Sequence, residues 1–340
     1  MGDSTDNAKF DEAGFDRARR AIETANRIAL LCHVSPDGDA LGSMLAMALF
    51  LERIGKAWAA SFPEPFTIPP TYSFLPGIDR LSPPQELLNE PFDLVMTFDC
   101  ASADRTAELS TLVEKASCVV VIDHHYSNPR YGDINLVFPD ASSSSEIVFE
   151  FMRFSGIELD KDIATCLYVG VATDTGRFQY SNTTARVFEI AADLVSTGVS
   201  VDQVSRKVFE EARLASLRLL GEILCRAEFH ERSKAVTSWF GYKDLERYGV
   251  DLAETDEYID VLRKAKEAEV VILAKELEPG VFKLSLRSLG AVDVAEIAGR
   301  FGGGGHRMAA GCTIEGSLEH VLNSLMSQLP SEFSKDLPAL

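Results

Sequence analysis

Along the chain, short unbroken apolar runs alternate with longer stretches in which apolar residues recur every three or four positions. Residues 1–14 read as a loose tail, and Phe15 to Asn26 has the periodicity of an amphipathic helix. Ile28-Ala29-Leu30-Leu31-Cys32 is a short apolar run that predicts a buried parallel strand ending at His33. Leu41 to Ile54 predicts an apolar helix closed by Gly55. The order then repeats. Residues 93–98 (DLVMTF) predict a strand ending at Asp99, Glu108 to Lys115 a helix, and 118–122 (CVVVI) a strand ending at Asp123-His124-His125. Ser142 to Ser145 reads as the cap of a helix beginning near Glu146, and the apolar stretch 163–173 leads into Asp174.

Strands alternating with helices predict an α/β fold with a parallel sheet and helices on both faces. This first domain is placed at 15–195. Residues 184–225 read as entirely helical, with a helical linker over 196–225. A smaller C-terminal α/β domain follows over 226–335, across a cleft. Its strands are expected at 235–240, 270–275, 281–287 and near Cys312, with a helix at 293–300.

Charge narrows the function. The 33 basic and 52 acidic residues give a net charge of −19, which disfavours long nucleic acid held by counterion release. A short anion remains open to a site whose sign is reversed locally by metal or arginine. At 46% hydrophobic and 25% charged, the 340 residues suffice for two cores without staples. The six cysteines are scattered and form no C-x-x-C pair. The polar, acidic N-terminus has no signal-peptide pattern, and no apolar run reaches membrane-spanning length. A soluble, cytoplasmic protein without membrane partners is expected.

The candidate chemistry lies where the apolar runs stop. In an open parallel sheet the ligand crevice lies beyond the carboxyl ends of the strands. His33, Asp37 and Asp39 fall in a tight His-Val-Ser-Pro-Asp-Gly-Asp loop at one such end. Two carboxylates two residues apart can splay toward two neighbouring cations. Asp99, then Asp123-His124-His125, then Asp174 add carboxylates and imidazoles at further ends. Nitrogen and oxygen donors without thiolate favour two divalent cations, Mn²⁺ first, with Mg²⁺, Co²⁺ or Zn²⁺ as alternatives. Phe301-Gly302-Gly303-Gly304-Gly305-His306 offers backbone N–H groups to an anion, and Arg287 is a candidate phosphate clamp.

The set HVSPDGDALGS, DCAS, VIDHH, ATDTGRF and FGGGGHRMAAG spans residues 33–311 and resembles the DHH phosphoesterase superfamily. More narrowly it resembles the nanoRNase / pAp-phosphatase type, a DHH domain followed by a DHH-associated domain. The resemblance implies one Mn²⁺ on His33 and Asp37, another on Asp39, His124 and Asp174, and Asp99 bridging them. His125 would contact the scissile phosphate, with Asp123 orienting it. Arg287, Ser288, Gly303, Gly304, Gly305 and His306 would grip substrate from the second domain, and Arg105 is a further candidate facing the crevice. Arg177 stands where D-T-G-x-F is expected to carry a small residue.

The implied activity is hydrolysis of RNA of roughly two to five nucleotides, pApA or pAp to nucleoside monophosphates by metal-activated hydroxide, in a homodimer. Cyclic di-AMP is a further candidate substrate. The alternatives are a RecJ-like exonuclease, which would want a basic channel, a manganese pyrophosphatase, against which the glycine-rich His306 loop argues, and a nucleotide sensor lacking metal ligands. Here every ligand position is filled.

Overall fold

The computed structural model describes residues 10–330, and the chain divides into two compact units between Glu211 and Ala212. That division falls inside the stretch read as a linker. The first nine residues of the expected tail lie outside the described residues. Residues 11–14 are not part of a tail, because Asp11 caps a helix by accepting from the Ala13 N–H.

The first unit runs α1 (Glu12–Thr24), β1 (Arg27–Cys32), α2 (Gly38–Arg53), β2 (Ala57–Ser61), α3 (Pro84–Leu87), β3 (Leu94–Phe98), α4 (Ser110–Lys115), β4 (Cys118–Asp123), β5 (Ile134–Val137), α5 (Ser144–Phe154), α6 (Lys161–Asp174), α7 (Ala185–Ser196) and α8 (Val201–Ser205). Its five strands are all parallel, in the order β2-β1-β3-β4-β5. One face carries Ile28, Leu30, Met96, Phe98 and Ile122 against α1, α2, α5 and α6. The other carries Ala29, Leu31 and Val95 against Leu87, Leu109 and Leu112. Burial on both faces explains why these strands read as unbroken apolar runs rather than alternating ones. Phe15 of α1 packs edge-on against Phe138 and Phe151, and burying a ring of that size contributes on the order of 2–3 kcal/mol.

The second unit runs α9 (Leu214–Cys225), β6 (Glu228–His230), β7 (Ala235–Gly241), α10 (Tyr242–Tyr248), α11 (Tyr258–Leu262), β8 (Val270–Glu278), β9 (Val281–Ser288), α12 (Val294–Gly299), β10 (Gly304–His306), β11 (Ala309–Glu315) and α13 (Leu318–Met326). Its sheet order is β10-β11-β9-β8-β7-β6, with only β7 and β8 parallel. Leu284 and Leu286 face a core closed by α12 and α13, while Val271 and Leu273 face one closed by α9, α10 and α11.

Two expectations are corrected. Residues 184–225 are not one helical stretch. Breaks at 197–200 and 211–213 separate α7, α8 and α9, the first at Gly198, whose φ of 103° suits glycine alone. Nor are all of the N–H groups of the glycine run open to an anion. Gly304 and Gly305 pair with Gly311 and Ala310 as one arm of a hairpin, so part of its backbone is already hydrogen-bonded.

The helices α2 and α6 cross at glycine. A Cβ at Gly42 would overlap the Cys166 carbonyl oxygen, and one at Gly170 would overlap Ser145 Oγ and Asp39 Oδ1. Gly42→Ala should gain up to about 1 kcal/mol in helix propensity and lose about 1–3 kcal/mol to overpacking. The expected result is a lower urea midpoint. An unchanged or raised midpoint would show that the helices can separate at little cost.

Candidate metal centre

Three adjacent strands deliver the first ligands side by side. Cys32 lies in register with Phe98, and Phe98 with Ile122, so His33, Asp99 and Asp123 reach the same edge of the sheet. Asp99 turns out of β3 at φ 55°, a left-handed conformation that a non-glycine residue holds only when its surroundings compel it. Its N–H donates to the Ile122 carbonyl at 3.0 Å, which fixes the turn. The turn splits the carboxylate: Oδ2 lies 3.5 Å from His33 Nε2, and Oδ1 lies 3.4 Å from His124 Nε2.

Helix ends supply the other ligands. Asp37 caps α2, and its Oδ1 accepts from the Asp39 and Ala40 N–H groups at 3.0 Å each. Its other oxygen stands 3.9 Å from His33 Nε2. Asp39, in the first turn of α2, is fully buried. Its two oxygens accept from the Ser144 and Ser145 N–H groups at 2.6 and 2.8 Å, at the positive end of α5. Asp174 ends α6, with Oδ2 3.4 Å from His124 Nε2. One potential donor atom from each of His33, Asp37 and Asp99 lies within 4.8 Å of the others, and the same holds for Asp39, His124 and Asp174. A third such group joins Asp99, His124 and His125.

The donor chemistry fits two divalent cations. Four carboxylates and two imidazoles meet without a thiolate. His33 Nδ1 donates to the Val34 carbonyl at 2.9 Å, which in the neutral ring leaves the Nε2 lone pair for a cation shared with Asp37 and Asp99. The charges agree. Burial, reinforced by the Asp99 charge, pushes Asp39 up to about 7. Burial pushes Asp174 well above the carboxylate range, even though His124 opposes it. For Asp99 burial is outweighed by His124 and His33, which hold it well below that range. Burial lowers His33, but the hydrogen bond to Asp99 and the charges of Asp37 and Asp99 carry it up to about 9. His124 is raised likewise against its burial, chiefly by Asp174 and Asp99. Protons and cations therefore compete for the same oxygens.

The chain matches the family model for the DHH family N-terminal domain over residues 27–171 and that for the DHHA1 domain over residues 234–333. It is 33% identical over 311 residues to the bifunctional oligoribonuclease and PAP phosphatase NrnA of Thermus thermophilus, covering 89% of this chain and 90% of that one. The chain belongs to this DHH–DHHA1 family. The protein of the same name from Bacillus subtilis is 28% identical over 87% of this chain and 91% of its own. The crystal structure of an exopolyphosphatase-related protein from Bacteroides fragilis superposes with a TM-score of 0.89 at 25% identity, covering 95% of this chain and 98% of that one.

In this DHH–DHHA1 chain Asp123 is wholly buried and serves its neighbour. Its Oδ1 lies 2.7 Å from His125 Nδ1, and its Oδ2 accepts from Asn128 Nδ2 at 2.6 Å. His125 Nδ1 also lies 3.6 Å from Asp99 Oδ1, but the contact to Asp123 is the hydrogen bond. Arg105 is exposed and brings Nη2 to 3.4 Å from His33 Nδ1, while its carbonyl accepts from the Val34 N–H. It therefore approaches the side of His33 that faces away from Asp37 and Asp99. In the second unit Arg287 projects from β9, with Nε 3.4 Å from Asp260 Oδ1. Ser288 is buried, and its Oγ accepts from the Gly290 and Val292 N–H groups, which spends it on the turn after β9. Gly303, Gly304 and Gly305 lie in or beside the hairpin of β10 and β11.

Sequence reasoning missed three supports. The serine run does cap α5, since Ser143 Oγ accepts from the Glu146 N–H. It also holds Asp39 through main-chain donors, and Ser144 Oγ donates to Asp99 at 3.2 Å. Asn128 was legible as the polar residue five places after Asp123. Asn182 donates to the Ser142 and Asp174 carbonyls and had no sequence signal. Arg177 stacks over the Phe209 ring at 4.4 Å and donates to the Phe209 carbonyl, so its long side chain is spent within the first unit.

The raised Asp174 value gives a sign. A carboxyl whose folded pKa lies above its unfolded one makes the fold less stable as pH rises between the two. Asp174→Asn should therefore raise the denaturation midpoint of the metal-free protein at pH 8, with the advantage fading below about pH 4. It should also abolish the stabilisation expected on adding a divalent cation. A lower midpoint at pH 8 would show that the buried charge of Asp174 is not a net cost to the fold.

Proposed function

We propose that the chain hydrolyses very short nucleotides to nucleoside monophosphates with two divalent cations, most readily Mn²⁺. The observation that carries the reading is the split carboxylate of Asp99. One oxygen faces the His33–Asp37 group, the other faces His124 of the Asp39–His124–Asp174 group, and His125 lies beside them. The relatives named as oligoribonuclease and PAP phosphatase support RNA of roughly two to five nucleotides and pAp as substrates. The charge of −19 argues in the same direction, against long strands. We further propose a cytoplasmic homodimer, with Arg287 and the Gly303–His306 segment contributing substrate contacts.

When bound, the cations supply Lewis acidity that ionises a water near neutral pH and screens phosphoryl charge. The chain's residues do the rest. Asp99 ties the two ligand groups into one unit, so their spacing is set by a single carboxylate. Asp123 accepts the Nδ1 proton of His125 and so aims Nε2 for a hydrogen bond with a phosphoryl oxygen. Asp39 and Asp99 are themselves buried, which strengthens the contacts that these two carboxylates make.

With Mn²⁺, purified protein should release AMP from pApA and pAp far faster than from an RNA of about 24 nucleotides. Cyclic di-AMP is the open arm. His125→Ala should lower kcat at least about 100-fold while Mn²⁺ binding measured by calorimetry stays intact. Preference for the long RNA would overturn the short-substrate reading. Full activity in His125→Ala would remove that histidine from the chemistry.

A further inference from the structure

Just beyond β4 the chain makes a tight turn whose tip is an aromatic ring in water. The Asn128 N–H donates to the His125 carbonyl at 3.1 Å, so Tyr126 and Ser127 are the two central residues of the turn. Tyr126 is 92% exposed, and the next large apolar side chain in order of exposure among the described residues, Leu214, reaches 62%. Turns favour glycine, proline, asparagine, aspartate or serine at their centre, and Ser127 is of that kind. Tyrosine brings nothing to a turn, and a ring left in water returns none of the burial energy that aromatic side chains usually supply.

The turn is held at both ends. Asn128 is buried, and its side chain donates to the Asp123 carboxylate at 2.6 Å and to the Cys100 carbonyl at 3.0 Å. Its Oδ1 accepts from the Arg130 N–H at 2.7 Å. At the other end, His125 Nδ1 lies 2.7 Å from the same Asp123 carboxylate. One buried aspartate thus anchors both the imidazole that opens the turn and the amide that closes it. Tyr126 follows His125 directly, ~3.8 Å away at Cα, so its backbone is fixed relative to that imidazole. A ring mounted this way has only its two side-chain torsions to order when something lies against it.

The direction of the chemistry brings a nucleobase to this lip. Water adds to phosphorus, the P–O3′ bond breaks, and a water proton ends on O3′. In an in-line displacement the leaving oxygen departs from the side opposite the attacking water. His33, Asp39 and Asp99, among the residues that gather around that water, are buried, whereas side-chain exposure is 16% at His125 and Tyr126 stands at 92%. The leaving nucleoside therefore extends outward, past His125 and over the turn. In pAp and in pApA it is the same one, a 5′-phosphorylated adenosine that leaves as AMP. We propose that Tyr126 stacks on the base of this leaving nucleoside and gives the site a preference for a purine there. The proposal rests on the short-nucleotide reading above and uses the first unit alone. Stacking accepts any base, because each has a π face, and the larger purine face gains more from it.

The test compares pApU with pUpA, which differ in the base of the leaving nucleoside, in the wild type, Tyr126→Ala and Tyr126→Phe. The wild type should favour pApU through KM. Tyr126→Ala should raise KM for pApU about tenfold and erase that preference without lowering kcat. Tyr126→Phe keeps the ring and should match the wild type. A Phe variant as weak as the Ala variant would assign the effect to the hydroxyl and overturn stacking. So would an Ala variant that loses nothing, or that loses equally on the two dinucleotides. Calorimetry separates this failure from failure of the hydrolase reading, since it needs no turnover. The probes are AMP and ribose 5-phosphate, which has no base, each added to the full chain with Mn²⁺ present. Should nothing be hydrolysed, a loss of AMP affinity in Tyr126→Ala that ribose 5-phosphate does not share still supports the site. An AMP affinity unchanged in that variant, or a loss common to both probes, rejects it.

Discussion

The distance between α2 and α6 is the constraint on which the metal centre rests. The two helices run antiparallel, with Gly38 against Thr173 and Gly42 against Cys166 and Gly170. Each glycine inside a helix costs roughly 1 kcal/mol in propensity, so a crossing that uses several must return packing or function. Here it returns both. The close passage brings Asp39, at the start of α2, and Asp174, at the end of α6, to the same imidazole. Gly170 also leaves the space that Ser145 and the Asp39 carboxylate fill. Bulk at this crossing would separate ligands that come from opposite ends of two helices.

Gathering four carboxylates is unfavourable, and the fold meets that cost locally. Asp39 spends both oxygens on the N-terminus of α5, Asp37 spends one on the N-terminus of α2, and Asp99 lies between two imidazoles. Helix dipoles, hydrogen bonds and histidines together offset part of the repulsion. What remains appears in the raised Asp39 and Asp174 values, where burial exceeds the available compensation. A cation addresses that remainder directly.

Much of this was legible because parallel strands end in register. His33, Asp99 and Asp123 each follow an unbroken apolar run, and the sheet places those run ends side by side. Asp174 was legible only as an acid after an apolar stretch, because a buried helix and a buried strand look alike over such a length. The break near Gly198 was hidden by the apolar periodicity on both sides of it. The serine run looked like a cap and is one. Its second role depends on backbone donors, which every residue but proline has, and so leaves no mark in side-chain pattern. Arg177 departs from the small residue expected in its motif because its length is used on Phe209.

The support of Asp39 by main-chain N–H groups bears on how such a site persists. A carboxylate held by side chains ties its geometry to the identity of each partner. One held by the first turn of a helix asks only that the turn be there. Side chains beyond that first turn can then change while the oxygens it steadies stay in place. That freedom suits a lineage in which relatives share only about a third of their residues with this chain across nearly its whole length.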